Sequence, residues 1–390
     1  MSVVDLREAR DFGANPYPYY AKLRAGGPVH AVRTEEFERI WMIVGYEEAR
    51  AALADQRFSK EWRTTDLWTV SSNPINANML EMDAPHHTRL RRLVAREFTA
   101  RRIEAMRPRV EEITAGLLDA MVPAGSADLI DAFAFPLPMT VICELLGVPG
   151  MDRDAFRRLS NAILAPVSPE KEGEAVHAMG AYLVELTEDK RRAPGDDLMS
   201  ALIQARDDDG DRLSPDELIG IAFLLLVAGH ETTVNLISNG VRALLDHPEQ
   251  LALLRARPEL IDGAVEEMLR YDGPVGTATF RFTREPVPVG PVVIPKGEAV
   301  LVALGSGDRD PGRYPDPDTF DIRRAAQGHL AFGHGIHFCL GAPLARMEGR
   351  IAIAALLERC PGLARDPEGG EPDWLPGLLL RGVRRLPVRW

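Results

Sequence analysis

The sequence contains little cysteine and no long apolar segment. Only three cysteines occur among 390 residues, and so small and odd a number excludes a disulfide framework of the kind found in secreted proteins. The longest nearly unbroken apolar run, residues 218–228, is too short to cross a bilayer. The first residues also lack the apolar core of a signal peptide. We therefore expect a soluble, cytoplasmic protein that has no membrane partner.

The sequence also lacks an excess of positive charge. Its 46 basic residues are outnumbered by 58 acidic ones, so the formal net charge is −12. Nucleic acid is excluded as a general partner, because phosphate binding requires clustered Lys and Arg. The hydrophobic and charged shares, 45% and 27%, are ordinary for a globular chain and exclude a disordered one.

Most of the chain has helical periodicity. Apolar residues recur at three- and four-residue spacing, which predicts helices at residues 85–98, 101–121, 133–146, 152–163 and 172–190. A longer helix is expected from the N-cap Ser214, with Pro215 in the first position and Glu217 in a capping box, to residue 246. Its centre, residues 221–228, is apolar all round and is therefore expected to cross the interior.

Strand signals concentrate late in the sequence. β-Branched and apolar residues bounded by Gly and Pro predict strands at residues 279–283, 287–294 and 299–304. Residues 305–329 follow as a long loop with little periodicity, and a final helix is predicted from Cys339 to residue 358. Because the sequence has no repeat and no clear linker, we expect residues 1–390 to form one mainly α-helical domain with small β-sheets.

A glycine-rich segment, residues 332–341, delivers Cys339 to the start of the predicted final helix. Free backbone N–H groups and the helix dipole favour a thiolate there, and the glycines permit a flat ligand to approach the backbone closely. A thiolate suits nucleophilic attack or metal binding. Three interpretations compete with a cofactor ligand: a buried structural cysteine, a catalytic cysteine whose base lies on another element, and a zinc ligand together with His329, His334 and His337.

The same segment resembles the haem-binding loop of the cytochromes P450. Its residues match the pattern Phe-x-x-Gly-x-(Arg/His)-x-Cys-x-Gly, and the resemblance extends over about residues 15–390. It implies the cytochrome P450 fold around a buried haem b (iron protoporphyrin IX), with the Cys339 thiolate as the axial ligand of the iron. The haem-binding residues implied in this loop are Phe332, Gly333, His337, Cys339 and Gly341.

A second match to the family lies in the middle of the long predicted helix. In residues 228–232, Ala-Gly-His-Glu-Thr, the Thr232 hydroxyl is able to donate to the carbonyl of Ala228 and to open the helix. By sequence alone, the stretch also suits a helix that carries surface Thr and Glu. The resemblance implies that Glu231 and Thr232 are catalytic and guide water and protons to bound dioxygen.

A third match is an ion pair in the second half of the chain. Glu267 and Arg270 are spaced i, i+3 and share one helix face, which is common at protein surfaces. The resemblance implies that they form a structural ion network with Arg324 of the long loop. One departure is Asp308, which stands where family members often carry Asn.

A fourth match is the pair His87 and Arg91, spaced i, i+4 on the helix predicted at residues 85–98. This spacing suits a clamp for a carboxylate, but it also suits a solvated basic face. The resemblance implies that the haem propionates are bound by His87, Arg91, Arg281 and His337.

The resemblance implies a monooxygenase. A thiolate opposite oxygen favours O–O cleavage, so one oxygen atom enters a C–H or C=C bond and the other leaves as water. The pair Glu231 and Thr232 favours dioxygen, whereas a peroxide-driven peroxygenase and a non-enzymatic haem-thiolate sensor or electron carrier stay open. Electrons are expected from a ferredoxin and a ferredoxin reductase. Residues 86–109 hold eight Arg and two Glu, a stripe that suits an acidic partner or a solvated face.

The substrate is expected to be a bulky, largely neutral small molecule. Residues 67–80, which roof the pocket in the family, carry no charge. The sequence resembles bacterial members that tailor macrolides and other polyketide secondary metabolites, antibiotics included, by hydroxylation or epoxidation. Steroid or terpenoid substrates are the alternative. The pocket candidates are Trp68, Ile75, Asn78, Leu225, Ala228, Val275, Thr277 and Leu379.

Overall fold

The computed structural model of the protein describes residues 3–9, 11–35, 37–61, 73–148, 158–160, 162–163, 168–206 and 210–390. Its helices are α1 (Tyr17–Gly26), α2 (Tyr46–Ala54), α3 (His86–Glu97), α4 (Ala100–Ala105), α5 (Arg107–Met121), α6 (Pro136–Leu146), α7 (Pro169–Arg192), α8 (Leu198–Gln204), α9 (Pro215–Asp246), α10 (Pro248–Ala256), α11 (Ile261–Asp272), α12 (Leu304–Asp308) and α13 (Ala342–Arg359). Its strands are β1 (Val4–Asp5), β2 (Val29–Arg33), β3 (Ile40–Ile43), β4 (Phe58–Ser59), β5 (Ser126–Asp128), β6 (Arg281–Thr283), β7 (Val287–Val289), β8 (Val292–Ile294), β9 (Ala299–Val302), β10 (Ala364–Arg365) and β11 (Pro387–Arg389). Helices therefore dominate, as predicted.

The longest described helix, α9, begins with the predicted cap. The Ser214 hydroxyl accepts from the Glu217 N–H group at 3.2 Å, and the Glu217 carboxylate accepts from the Ser214 N–H group at 2.8 Å. The helix packs against α6, α7, α11 and α13 in the largest hydrophobic core. By length and composition α9 is able to cross a membrane, but 67% of its apolar window is buried inside the protein. It is therefore a core helix, as predicted.

A six-stranded sheet joins distant parts of the chain in the order β1-β2-β3-β9-β6-β4. Strands β3 and β9 are parallel, with Trp41 opposite Val300, and β6 is antiparallel to both β9 and β4. Strands β2 and β3 are absent from the sequence-based prediction. All four residues of β3 are buried, so no alternation of apolar and polar residues marks this strand. The sheet places β6, which begins at Arg281, directly beside β4.

Several predicted helix boundaries are corrected. The helix predicted at residues 101–121 divides at Met106 into α4 and α5, because Pro108 near the start of α5 lacks the N–H group that a continuous helix requires. A π-helical turn, Ile130–Ala134, precedes α6, and the final helix begins at Ala342 rather than at Cys339. The helix predicted at residues 152–163 lies mostly outside the described residues, of which 158–160 and 162–163 are helical.

The late strands are shorter than predicted. Residues 287–294 form a hairpin of β7 and β8 that turns at Gly290, where φ is 55°. The strand predicted at residues 299–304 ends at Val302, and α12 follows at once. The first residues of the predicted long loop are therefore helical, and the remainder of the loop leads to Cys339.

Candidate active site

A tight backbone loop positions Cys339. Its N–H group donates to the carbonyl of Phe332 at 2.9 Å, which closes the loop. Gly335 has a positive φ of 76°, and a Cβ atom there would lie 2.8 Å from the carbonyl oxygen of Leu53. Because any side chain at this position would collide with α2, the glycine lets the loop pack against α2. The loop thereby holds Cys339 just ahead of α13.

The Cys339 thiol faces a cleft within the fold. The residue is exposed, yet burial by the surrounding protein raises the pKa of its thiol, and the N–H groups of Gly341 and Ala342 offset this effect only in part. Both observations agree if the thiol opens into an internal cleft rather than into bulk solvent. The N–H groups at the helix start therefore lower the pKa of the thiol, as expected, but burial outweighs them. Coordination to a metal, by contrast, deprotonates a thiol.

The candidate zinc ligands do not converge. Within the described residues, no group of three or more His, Cys, Asp or Glu side chains is able to hold a metal ion. Nε2 of His329 lies 3.2 Å from the carboxylate of Glu266, and the ring of His337 lies 4.3 Å from that of His87. Cys339 and these histidines therefore do not form a zinc site among the described residues.

Nitrogen-bearing side chains gather close to Cys339. Burial, together with the neighbouring His87, Arg281, Lys60 and Arg91, lowers the pKa of His337 to about 2. Both ring nitrogens of His87, Nε2 of His337 and Nε of Arg281 are buried and have no hydrogen-bond partner among the described residues. Because buried polar groups without partners cost free energy, the cluster fits an anionic ligand. The propionates of haem are such a ligand, so the residues present fit this cofactor.

Lys60 belongs to this cluster and was missed by the sequence-based prediction. Its Nζ atom donates to the Thr279 hydroxyl at 2.5 Å and to the Phe280 carbonyl at 2.7 Å, and burial lowers its pKa well below the ordinary value. Lys60 follows β4, whose antiparallel pairing with β6 brings it beside Arg281. No local pattern marks this residue, because only the sheet pairing brings it to the site.

Two threonine hydroxyls bond back to backbone carbonyls near the centre of α9. The Thr232 hydroxyl donates to the carbonyl of Ala228 at 2.7 Å, which is the predicted bond, and the Thr233 hydroxyl donates to the carbonyl of Gly229 at 3.3 Å. Ala228 is exposed although the helix around it is mostly buried. This turn of α9 therefore faces open space inside the fold, with the Thr232 hydroxyl beside it.

Glu231 is oriented differently from its neighbour Thr232. Glu231 is 8% exposed, and its carboxyl oxygen lies 3.1 Å from Nε2 of His230. Gly229 makes room for the adjacent helix, because a Cβ atom there would lie 3.0 Å from Cδ1 of Ile142 on α6. The carboxyl group of the predicted catalytic acid is thus held by a histidine that the sequence analysis did not single out.

The charged residues of the predicted ion network lie together. Nε and a terminal nitrogen of Arg270 donate to the two carboxyl oxygens of Glu267 at 2.7 and 2.8 Å, and Nε of Arg324 donates to Glu267 at 3.2 Å. Arg270 also donates to the carbonyl oxygens of Asp308 and Pro317 at 2.9 and 2.8 Å. Because these contacts tie α11 to the long loop, we assign them a role in folding rather than in chemistry.

Three of the pocket candidates lie in two paired segments. The Thr277 hydroxyl donates to the carbonyl of Leu378 at 3.2 Å, and the N–H group of Gly276 donates to the carbonyl of Leu379 at 2.8 Å. Val275 and Leu379 are half-buried, whereas Thr277 is buried. The partly open side chains in this group are therefore those of Val275 and Leu379.

The other pocket candidates differ in how accessible their side chains are to a ligand. Asn78 is buried, and its amide donates to the carbonyl of Ile75 at 2.8 Å and accepts from a backbone N–H group of its own turn. Its polar atoms are therefore used locally, and Ile75 is buried too. Leu225 is half-buried and Ala228 is exposed, both on α9. Trp68 lies outside the described residues.

The arginine stripe at residues 86–109 is partly paired with acids. Four of its arginines take part in ion pairs, which join Arg89 to Asp211 and Glu217, Arg102 to Glu97, Arg107 to Glu104, and Arg109 to Glu112 and Glu144. Some of these acids come from outside the stripe. The structure therefore leaves less uncompensated positive charge here than the sequence count indicates.

Comparison with known proteins agrees with this geometry. The family model for cytochrome P450 matches residues 8–163 and 166–380. Cytochrome P450 monooxygenase PikC of Streptomyces venezuelae is 59% identical over 393 residues, which cover 100% of this chain and 94% of PikC. The 6-deoxyerythronolide B hydroxylase of Saccharopolyspora erythraea is 47% identical, covering 100% of this chain and 99% of the hydroxylase. The tirandamycin C-bound P450 monooxygenase TamI superposes with a TM-score of 0.90 at 44% identity, over 99% of both chains. The chain therefore belongs to the cytochrome P450 family of haem-thiolate monooxygenases.

Proposed function

We propose that the protein hydroxylates or epoxidises a bulky, largely neutral polyketide- or macrolide-type secondary metabolite with dioxygen. The observation that carries the proposal is the buried cluster near Cys339, in which ring nitrogens of His87 and His337 and Nε of Arg281 have no hydrogen-bond partner among the described residues. Its chemistry suits the acidic edge of a haem. Relatives named 6-deoxyerythronolide B hydroxylase, mycinamicin IV hydroxylase/epoxidase and polyketide biosynthesis cytochrome P450 support a tailoring reaction of secondary metabolism.

The proposed cofactor is haem b, with Cys339 as the axial ligand of its iron. When bound, haem with a thiolate ligand supplies the activation of dioxygen and the oxidising power. The protein binds and orients the cofactor through two groups of residues. The loop residues are Phe332, Gly333 and Gly341, and the propionate-binding residues are His87, Arg91, Arg281, His337 and, in addition, Lys60.

Thr232 and Glu231 are the proposed proton-delivering residues. The Thr232 hydroxyl donates its hydrogen to the carbonyl of Ala228, so its oxygen is left to accept a hydrogen bond from water or another group in the cleft. Glu231 is the acid that directly precedes Thr232 in the same helix, and it is mostly shielded from solvent. An acid beside a hydroxyl suits dioxygen chemistry, which consumes protons, better than a reaction driven by peroxide.

Family membership implies a redox partner, and we assign that role to a ferredoxin supplied by a ferredoxin reductase. Helix α4, which carries Arg101 of the arginine stripe, packs against α13, the helix that follows Cys339. An acidic ferredoxin docked there would lie on the cysteine side of the cofactor. The low cysteine content suits the cytoplasmic location that this partnership requires.

Optical titration of the haem-loaded ferric protein tests the proposed substrate class. A ligand that displaces water from the iron shifts the haem toward high spin, so we expect a saturable shift with macrolides or other polyketides. Steroids and terpenoids of similar size serve as the matched comparison. A shift confined to steroids or terpenoids would contradict the substrate class and leave the monooxygenase chemistry intact.

One observation favours a second candidate. A vitamin D(3) 25-hydroxylase of Pseudonocardia autotrophica is 47% identical over 380 residues. A steroid-like molecule is also bulky and largely neutral, and it matches an uncharged pocket roof as well as a polyketide does. Product analysis after turnover with each ligand that binds separates the two candidates.

A further inference from the structure

His230 lies beside the proposed proton-delivering acid and is fully buried. Its Nδ1 atom is 2.8 Å from the carbonyl oxygen of Leu226, one turn earlier in α9. Its Nε2 atom is 3.1 Å from the carboxyl oxygen of Glu231 and 3.3 Å from the hydroxyl of Ser160. The ring of Phe135 meets it edge-on at 5.9 Å. Both ring nitrogens therefore have close oxygen neighbours in a dry environment.

The positions of these oxygens fix where the protons are. A carbonyl oxygen only accepts, so the contact with Leu226 requires the hydrogen on Nδ1. A neutral imidazole carries one ring hydrogen, which leaves Nε2 as an acceptor, and an ionised carboxylate also only accepts. Two acceptors 3.1 Å apart would repel each other. The Ser160 hydroxyl is able to donate to Nε2, but its hydrogen does not lie between Nε2 and the carboxylate and so does not remove this repulsion. The contact between His230 and Glu231 therefore needs one additional proton, on either the ring or the carboxyl group.

A second histidine–glutamate pair in the protein has the opposite arrangement. Nδ1 of His329 accepts from the N–H group of Ala331 at 3.2 Å, so Nε2 carries the hydrogen and donates to Glu266 at 3.2 Å. That pair is satisfied by a neutral imidazole and an ionised carboxylate. The additional proton is thus required by the backbone carbonyl on Nδ1 of His230 and not by histidine–glutamate contacts in general.

We propose that His230 is a positioning residue that holds Glu231 by sharing one additional proton with it, so that α9 stores a proton next to Thr232. The proposal deepens the proposed function and rests on the role of Glu231 in it. When the N–H or O–H bond of the pair breaks, its electron pair stays on nitrogen or oxygen and the proton passes to a water or hydroxyl oxygen. Repulsion between the two remaining acceptors then releases the Glu231 carboxylate, and a proton from water restores the pair.

Spectroscopy of the haem-loaded protein tests the stored proton without relying on turnover. Isotope-labelled histidine reports the protonation of each ring nitrogen by nuclear magnetic resonance, in the reduced, carbon monoxide-bound protein near neutral pH. Infrared absorption reports a protonated carboxyl group. We expect either a doubly protonated His230 or a protonated Glu231, with signals that disappear in His230→Gln and Glu231→Gln respectively. A singly protonated His230 beside an ionised Glu231 would overturn the proposal, whichever nitrogen carries the hydrogen.

His247 at the end of α9 supplies a matched control. Its Nδ1 atom is also 2.8 Å from the carbonyl four residues earlier, that of Ala243, and among the described residues no carboxylate contacts its ring. We expect His247 to be neutral with its hydrogen on Nδ1. His329 is a second reference and should carry its hydrogen on Nε2.

The division of reducing electrons between product and hydrogen peroxide tests whether the stored proton serves the reaction. With a substrate that turns over, we expect His230→Gln to lower the ratio of product to released hydrogen peroxide about tenfold, and His247→Gln to leave it unchanged. The expected effect is smaller than the roughly 10²–10⁴-fold typical of a general acid or base itself, because His230 acts through Glu231. Equal ratios in both variants would overturn the role of His230. If the wild-type protein oxidises nothing, the proposed function fails, but the ring and carboxyl signals still decide whether the proton is shared.

Discussion

At the scale of single residues, Asp308 is the position where the chain departs from a common family pattern. Its carboxyl group is 2% exposed and accepts from the N–H group of Leu330 at 2.6 Å, which fastens α12 to the segment that leads to Cys339. Burial raises the pKa of Asp308 to about 7, although His329, Arg270 and other neighbours act against this. Near neutral pH a large fraction of Asp308 is therefore the protonated acid, in which one oxygen donates and the other accepts.

The Asp308→Asn variant should be more stable than the wild type at high pH. Because the pKa of the folded state lies above its ordinary value of 3.8, the stability contributed by Asp308 is present below that value and is lost as pH rises through about 7. Asparagine keeps one acceptor and one donor without ionising. We expect an advantage of up to about 4 kcal/mol at pH 8, since the pKa is raised by about three units and each unit corresponds to about 1.4 kcal/mol.

Denaturant unfolding at about pH 8 and about pH 5 measures this effect, and the advantage of Asn should be clearly smaller at the lower pH, where the folded-state carboxyl group is protonated. An advantage of the same size at both pH values would show that packing, not ionisation, separates aspartate from asparagine here. Replacement of the solvent-exposed Asp11 by Asn is the control and should change stability little at either pH.

At the scale of elements, the contact between α9 and the turn Pro74–Asn76 depends on Gly220. A Cβ atom there would lie 2.5 Å from the carbonyl oxygen of Ala77, so Gly220→Ala must displace the turn, which belongs to the predicted pocket roof. We expect a loss of about 1–3 kcal/mol in the free energy of unfolding, together with weaker substrate binding in the optical titration. Gly116→Ala on α5, where nothing lies within 4 Å, should instead gain up to about 1 kcal/mol. Destabilisation by both variants would indicate a general intolerance of alanine rather than a close approach.

Sequence reasoning found the elements that are formed by interactions between neighbouring residues. It missed those that depend on pairing between distant parts of the chain. The start of α9 was predictable because Ser214 and Glu217 cap it within one turn. Strand β3 was not, because its parallel partner β9 is distant in the chain and buried apolar runs do not distinguish strand from helix. Lys60 was missed for the same reason, since sheet pairing alone brings it to Arg281. The Cys339 loop and the Thr232 turn were found because the residues that define each of them are consecutive in the sequence.

At the scale of the whole molecule, the distribution of charge decides how a redox partner approaches. The chain has a net charge of −12, and many arginines of the stripe at residues 86–109 are paired with acids. Arg101 is exposed on α4, which packs against the helix that follows Cys339. Unpaired positive charge near that helix is what would attract an acidic ferredoxin. The stripe as a whole should therefore attract an acidic ferredoxin less strongly than eight unpaired arginines would.

Reduction of the ferric protein by ferredoxin should accordingly slow as salt is added, because exposed charges are screened within about 10 Å at 0.1 M ionic strength. Arg101→Gln should slow the second-order reduction at low salt about threefold, the modest effect expected of one rim charge. Arg39→Gln, which removes an exposed arginine just before β3, is the control and should leave the rate unchanged. Stopped-flow reduction under carbon monoxide measures both variants. If they slow equally, or if salt has no effect, the partner docks elsewhere or through contacts that are not electrostatic.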